Sequence, residues 1–95
     1  MHGADGQKRI RYEGYLAMAD RHVLDGERHI RQQIALIQRL DEHRCDTTLA
    51  KQMLHLFEES QRGHVAHREE FQLVLSQLES STKDAFDPAA YDKIS

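Results

Sequence analysis

The sequence predicts an all-α protein: one domain of residues 1–95, folded as an antiparallel hairpin of two long coiled-coil-like helices. Apolar residues recur in alternating steps of four and three through most of the chain, which is the spacing of a heptad seam. One Pro and five Gly stand among many Gln, Glu, Arg, Leu and Ala, whose side chains lose little rotamer freedom in a helix. No run of residues alternates as a strand would.

Helix one is predicted over about residues 10–44, after a frayed lead-in. Its seam consists of Tyr12, Leu16, Ala19, Val23, Gly26, Ile30, Gln33, Ile37 and Leu40. A second row stands beside the seam at seven-residue intervals, formed by Tyr15, His22, His29, Leu36 and His43. The two rows together make a stripe that is wider than a two-stranded seam needs.

The helix is predicted to break at residues 44–48. His43 and Arg44 suit a helix C-terminus, and Asp46 or Thr47 suits the N-cap of the next helix. Helix two is predicted over about residues 47–80, antiparallel to the first because the turn is short. Its seam is Ala50, Leu54, Phe57, Gln61, His64, Arg68, Phe71, Leu75 and Leu78. Residues 86–95, which include Pro88, are expected to form a short helical turn or a loose tail.

A two-helix hairpin cannot cover all of this apolar surface. Each helix hides only one side of the other, so Ile34, Leu36, Met53 and Leu56 are expected to stay exposed. A second hairpin is the simplest cover for them. The sequence therefore predicts a homodimer that forms a four-helix bundle.

Histidines concentrate in the middle of the hairpin. Folding about Cys45 and Asp46 should pair residues whose numbers sum to about 91 or 92, which sets His29 against His64 and His22 near Phe71. Four histidines are then candidate ligands of a transition metal such as zinc, with Glu70 at the end of His64-x-x-His67-x-x-Glu70, and Glu27 or Asp25 of the opposing helix, as further candidates. The four are His22, His29, His64 and His67.

A structural role for these histidines is favoured over metal binding, and no cofactor is expected. Amphipathic seams often carry His at their edges, and Gly26 and Gly63 would simply let the helices approach closely. The chain lacks the Glu-x-x-His of di-iron bundles and the His-Glu-x-x-His of zinc peptidases.

Two further sites are weaker. His55 precedes Glu58 and Glu59 by three and four residues, where a surface ion pair is favoured over a ligand set. Cys45 has no second cysteine in the chain, and no Cys-His-Asn arrangement accompanies it. With no Gly-rich phosphate loop and no Gly-x-Ser-x-Gly elbow, the sequence predicts no enzyme.

The charge pattern and the hydropathy of the sequence limit the classes of binding partner and the location to be expected. The formal net charge is −3 and the two signs are interleaved, so neither a nucleic acid nor an anionic membrane is an expected partner. No apolar run approaches the roughly 20 residues that span a bilayer. The first residues lack a basic and then apolar leader, and a single cysteine suits a reducing compartment, so the cytoplasm is the expected location.

Several motifs resemble a group of small bacterial helical-hairpin proteins that has no assigned activity. They are His22-Val23-x-x-Gly26-Glu27-x-x-Ile30-x-x-Gln33, Ile37-x-x-Leu40, Asp46-Thr47, Ala50-x-x-x-Leu54-x-x-Phe57-Glu58 and His64-x-x-His67-Arg68. The resemblance covers roughly residues 12 to 78 and implies the hairpin fold. Arg44 and Cys45 stand where that group has a Gly-containing turn.

These observations favour a non-enzymatic interaction module. We expect it to associate with itself and to present its remaining surface, with residues 86–94, to another protein. The alternative is a helical bundle that binds a metal or a small ligand through His22, His29, His64 and His67.

Overall fold

A computed structural model shows the predicted all-α hairpin. It describes the backbone of residues 2–85 and the side chains of residues 6–80, and the predicted C-terminal turn or tail at 86–95 lies outside these described residues. Helix α1 runs over His2–Glu42 and helix α2 over Thr48–Ala85, with no strand in the described part of the chain. At 1.5 Å per residue, the 41 residues of α1 extend over about 60 Å.

Helix α1 begins well before the predicted start near residue 10, so a frayed lead-in over the whole of residues 1–10 was wrong. Gln7, Lys8 and Arg9 are good helix formers, and each adds a backbone hydrogen bond once a helix exists beyond it. Helix α2 likewise continues to Ala85, past the predicted end at residue 80. Two glycines near the N-terminus lower helix propensity without preventing propagation.

The connection between the helices has two caps. At the end of α1 the Cys45 N–H donates to the Leu40 carbonyl at 2.8 Å, and the Arg44 N–H donates to the Asp41 carbonyl at 3.0 Å. This pair of bonds is the Schellman motif, whose left-handed residue is usually glycine. Arg44 occupies that position with a φ of 56°.

Asp46 and Thr47 share the start of α2, in agreement with the prediction that one of them caps it. The Thr47 carbonyl accepts from the Lys51 N–H at 2.9 Å. Both the N–H and the hydroxyl of Thr48 donate to Asp46 Oδ1, at 3.0 and 2.7 Å. These two bonds hold the pKa of the Asp46 carboxyl below its ordinary value, and the bond from the Thr48 hydroxyl has the larger effect.

The seam between the helices is thin. Among residues 6–80 only Ala19, Val23 and Ala50 are buried. Two glutamines on the seam add hydrogen bonds to the backbone of the opposite helix, Gln33 Nε2 to the Ala50 carbonyl and Gln61 Nε2 to the Val23 carbonyl, both at 2.9 Å. Because these bonds reach main-chain carbonyls, they tie one helix directly to the other.

Gly26 makes room for one of these glutamines. A Cβ at Gly26 would overlap the side-chain oxygen of Gln61, which is buried and has no hydrogen-bond partner among the described residues. Gly63 was expected to allow a similar close approach, and that expectation was wrong. A Cβ at Gly63 or at Gly14 would meet nothing within 4 Å.

The predicted register was also wrong, by about one and a half helical turns. His22 contacts His64, and His29 contacts Phe57, so paired numbers sum to 86 instead of 91 or 92. The shift is already present next to the connection, because α1 ends at Glu42 and α2 begins at Thr48, yet the Ala50 carbonyl accepts a hydrogen bond from Gln33. The first turn of α2 therefore packs beside residues that precede the end of α1.

Because Gly14 and Gly26 on α1 have different surroundings, their replacement by alanine should change the free energy of unfolding differently. A double-mutant cycle with Gln61 tests this. Gly14→Ala should raise the free energy of unfolding by about 1 kcal/mol, the ordinary gain of Ala over Gly in a helix. Gly26→Ala should lack this gain, because it displaces Gln61 and breaks a hydrogen bond of about 1 kcal/mol. In a Gln61→Ala background the gain should return. Urea unfolding of the four variants measures this coupling. Equal gains at Gly14 and Gly26 in the wild-type background would contradict the contact.

The Asp46 cap predicts a pH dependence. Its folded-state pKa is depressed, so the carboxylate stabilises the fold at pH values above the ordinary Asp pKa, and this contribution disappears as the pH falls through the folded-state value. Thr48→Val removes the hydroxyl that lowers the pKa most. An NMR titration of the Asp46 carboxyl carbon should show the pKa rising toward its ordinary value in Thr48→Val. An unchanged pKa would contradict the assigned cause.

Candidate functional site

Over residues 15–36 and 53–74, one flank of the hairpin carries no formally charged residue at the positions directly beside the seam, and Lys8 continues its row toward the N-terminus. We call it the neutral flank, and it consists of Tyr15, His22, His29, Leu36, Met53, Ser60, His67 and Val74. Residues from both helices meet there, because one open cleft is lined by His22, His29 and Ser60 and another by Tyr15, His22 and His67. The seam therefore brings the two rows of seven-residue spacing to the same side.

The opposite flank of the hairpin is rich in acidic residues. Six of its ten positions are acidic and one is basic. These positions are Glu13, Asp20, Glu27, Ile34, Asp41, Lys51, Glu58, Val65, Gln72 and Glu79. The two sides of the hairpin therefore differ in charge although the sequence as a whole interleaves its charges.

Aromatic rings form one end of the neutral flank. Phe71 lies with its centroid 5.9 Å from the ring of Tyr12 and 5.5 Å from the ring of Tyr15. The two tyrosines contact each other edge to face at 5.3 Å. His67 stacks on the same Phe71 at 6.3 Å. These contacts place the only aromatic cluster of the described residues at the end far from the turn.

Aliphatic side chains form the other end, beside the turn. Met53 is 39% exposed, Leu56 55% and Leu49 72%, and Leu36 of α1 is 36% exposed. Leu36, Met53 and Leu56 were expected to be exposed, and the structure confirms this for each of them. Ile34, the remaining member of that prediction, is exposed as well but lies on the opposite flank.

The four candidate metal ligands lie in the middle of the hairpin, His22, His29 and His67 on the neutral flank and His64 on the adjoining seam, and the structure brings only His22 and His64 together. The imidazoles of His22 and His64 lie with their centroids 5.2 Å apart and their planes at 49°. His29 lies against Phe57 at 6.0 Å, and His67 is on Phe71. His64 is half-buried and the other three are exposed. Among the described residues, no group of three or more His, Cys, Asp or Glu is placed to hold a metal ion.

Two open clefts flank the His22–His64 pair, each of about 210 Å³. One contains Asp25, Gly26, His29, Phe57 and Ser60, and Asp25 forms an ion pair with Arg28 at 3.0 Å. The other contains Met18, which is 56% exposed. Sequence reasoning missed Met18 and gave Ser60 no role in a site.

The two weaker sites have the environments expected of surface residues. His55 Nε2 lies 3.0 Å from Glu59 Oε1, and both side chains are largely exposed, which confirms the predicted surface pair. Cys45 is an exposed free thiol whose Sγ contacts only the His43 carbonyl, at 3.8 Å, in the described part of the chain. Neither helix, over its described residues, is long and apolar enough to cross a membrane.

Comparison with known proteins finds no family model that matches this chain. No curated protein matches it, and no solved structure does either. The relationship to small bacterial helical-hairpin proteins stays a prediction from the motifs quoted above.

Proposed function

We propose that this chain is a non-enzymatic interaction module that associates with a second copy of itself through the neutral flank, forming a four-helix bundle. The observation that carries the proposal is the row of partly exposed apolar side chains on that flank, Tyr15 at 41%, Leu36 at 36% and Met53 at 39%. Met18 and Leu56 widen it at its two ends. Exposed apolar patches of this kind, at the two ends of one flank, are typical of an interface.

The exposed area supports a partner for the hairpin. The chain exposes 7868 Å², whereas a compact monomer of 11.1 kDa exposes about 5,700 Å². The excess of roughly 2,000 Å² is larger than the roughly 800 Å² that each partner buries in a standard interface. With three buried side chains among residues 6–80, the isolated hairpin has little burial to offset chain entropy.

The charge pattern supports a second copy as the occupant. In an isologous dimer the same surface meets itself, so a surface whose charges are mostly of one sign repels its own copy. The eight positions of the neutral flank contain no Asp, Glu, Lys or Arg, and Asp25 in the cleft beside them is neutralised by its ion pair with Arg28, so this repulsion is small. The opposite flank, with its six acidic residues, would repel its own copy. Of the two flanks, only the neutral one suits self-association.

The acidic flank and the outer faces of the helices remain available in such a dimer. We propose that they solvate the bundle and that another protein docks there. A cytoplasmic location is part of the same proposal and is supported by the single exposed thiol of Cys45, which a reducing compartment would preserve.

A pair of matched leucines tests the interface. Leu56 borders the neutral flank and Leu73 lies on the outer face of the same helix, and their exposures are similar at 55% and 59%. Leu56→Glu places a carboxylate in each half of the proposed interface. It should raise the dimer dissociation constant at least tenfold, which corresponds to about 1.4 kcal/mol. Leu73→Glu should change it little.

Sedimentation equilibrium on the tag-free chain, with a chelator present to exclude metal effects, measures both constants. The wild-type melting temperature should also rise with protein concentration, because folding is coupled to association. A wild-type chain that sediments as a folded monomer at all concentrations would refute self-association. Equal weakening by the two substitutions would refute the assigned face.

A further inference from the structure

We propose that two copies of this chain hold one transition-metal ion of the Zn²⁺ class between them, bound by the His22–His64 pair of each copy. The inference rests on the self-association proposed above, because one chain supplies only two of the four ligands. It assigns a role to the one place in the described hairpin where two imidazoles lie in contact.

The spacing of the pair fits shared coordination. His22 and His64 come from different helices, and their ring centroids are 5.2 Å apart. Two imidazoles bound to one tetrahedral Zn²⁺, with Zn–N distances of about 2.1 Å, have centroids about 5 Å apart. The seam therefore sets the separation that two ligands need, and only side-chain rotation would be required to aim the nitrogens.

The nitrogens of this pair are not engaged elsewhere. Within residues 6–80 neither His22 nor His64 makes a hydrogen bond or an ion pair, and their only ring contact is with each other. By contrast, His55 is paired with Glu59, while His29 and His67 pack against phenylalanine rings. Of these five histidines, His22 and His64 are the two best placed to bind an ion.

One chain cannot complete the site. The described residues contain no group of three metal-binding side chains, and Asp25 in the neighbouring cleft is paired with Arg28. A structural zinc site takes four ligands. The missing two must come from outside the hairpin, and the neutral flank is the side on which the pair lies open.

Symmetry supplies the missing ligands. In a parallel dimer each layer of the neutral flank meets the same layer of the other copy. In an antiparallel dimer the central layer still does so, because it lies on the two-fold axis. The His22–His64 layer is near the middle of the flank, between the aromatic end and the aliphatic end. A parallel dimer therefore brings four imidazoles together, and an antiparallel dimer does so where its two-fold axis passes through the His22–His64 layer.

The ligand chemistry selects the metal class. Neutral imidazoles bind Zn²⁺, Ni²⁺, Cu²⁺ and Co²⁺, whereas Mg²⁺ and Ca²⁺ prefer oxygen ligands. No carboxylate or thiol is needed for a site of four imidazoles. The ion would join the two hairpins between the aromatic end and the aliphatic end of the neutral flank.

The test uses the full chain without a tag, stripped of metal by a chelator and then titrated with ZnCl₂. Calorimetry and native mass spectrometry should find one Zn²⁺ for every two chains, and Co²⁺ should give the intense visible absorption of a tetrahedral site. His22→Ala and His64→Ala should each weaken Zn²⁺ binding at least a hundredfold. His55→Ala removes an exposed histidine outside the pair and should leave the binding unchanged. Circular dichroism checks that helix content is retained.

The outcomes separate this inference from the proposed function. A metal-free dimer that binds no Zn²⁺ overturns the shared site and leaves self-association standing. A chain that becomes a dimer only with Zn²⁺ supports the site and overturns metal-independent association. One Zn²⁺ bound to a single chain overturns the sharing between copies. Equal affinity in wild type, His22→Ala and His64→Ala overturns the assigned ligands.

Discussion

Two helices packed along one seam can hide only one stripe of each other, and the rest of this molecule follows from that constraint. Ala19, Val23 and Ala50 are the buried residues among 6–80, and every larger apolar side chain on the flanks keeps contact with solvent. The side chains of Gln33 and Gln61 compensate in part, because they donate hydrogen bonds to backbone carbonyls of the opposite helix where apolar burial is small. The isolated hairpin thus has a thin core and leaves the apolar side chains of the neutral flank partly exposed.

The fold could be predicted because it depends on periodicity and capping, which are local properties of the sequence. The seam, the antiparallel turn and the caps at Asp46 and Thr47 all follow from residues close together in the chain. The register could not be predicted in the same way. It depends on the connection between Glu42 and Thr48 and on the left-handed conformation of Arg44. An arginine in the sequence does not predict this conformation, which glycine usually adopts. Gln61 and Gly26 then secure it through a contact between distant residues.

For the candidate site, the sequence predicts which residues share a flank but not which of them are in contact. The row of Tyr15, His22, His29 and Leu36 beside the seam was visible from its spacing, and it lies on one flank as spacing requires. Which imidazoles meet depends on the register, so the error in register predicted His29 as the neighbour of His64, whereas the structure has His22 there. The contrast in charge between the two flanks needed the assembled hairpin, because the sequence interleaves charges that the fold separates.

The central claim is that a second copy covers the neutral flank, and intermolecular NOEs test it most directly. A mixture of isotope-labelled and unlabelled chains reports only contacts between copies. The account predicts NOEs from the methyl groups of Met18, Leu36, Met53 and Leu56 to the other copy, and none from Leu24 or Leu73 on the outer faces. Intermolecular NOEs confined to Leu24 and Leu73, or no intermolecular NOEs at high protein concentration, would contradict it.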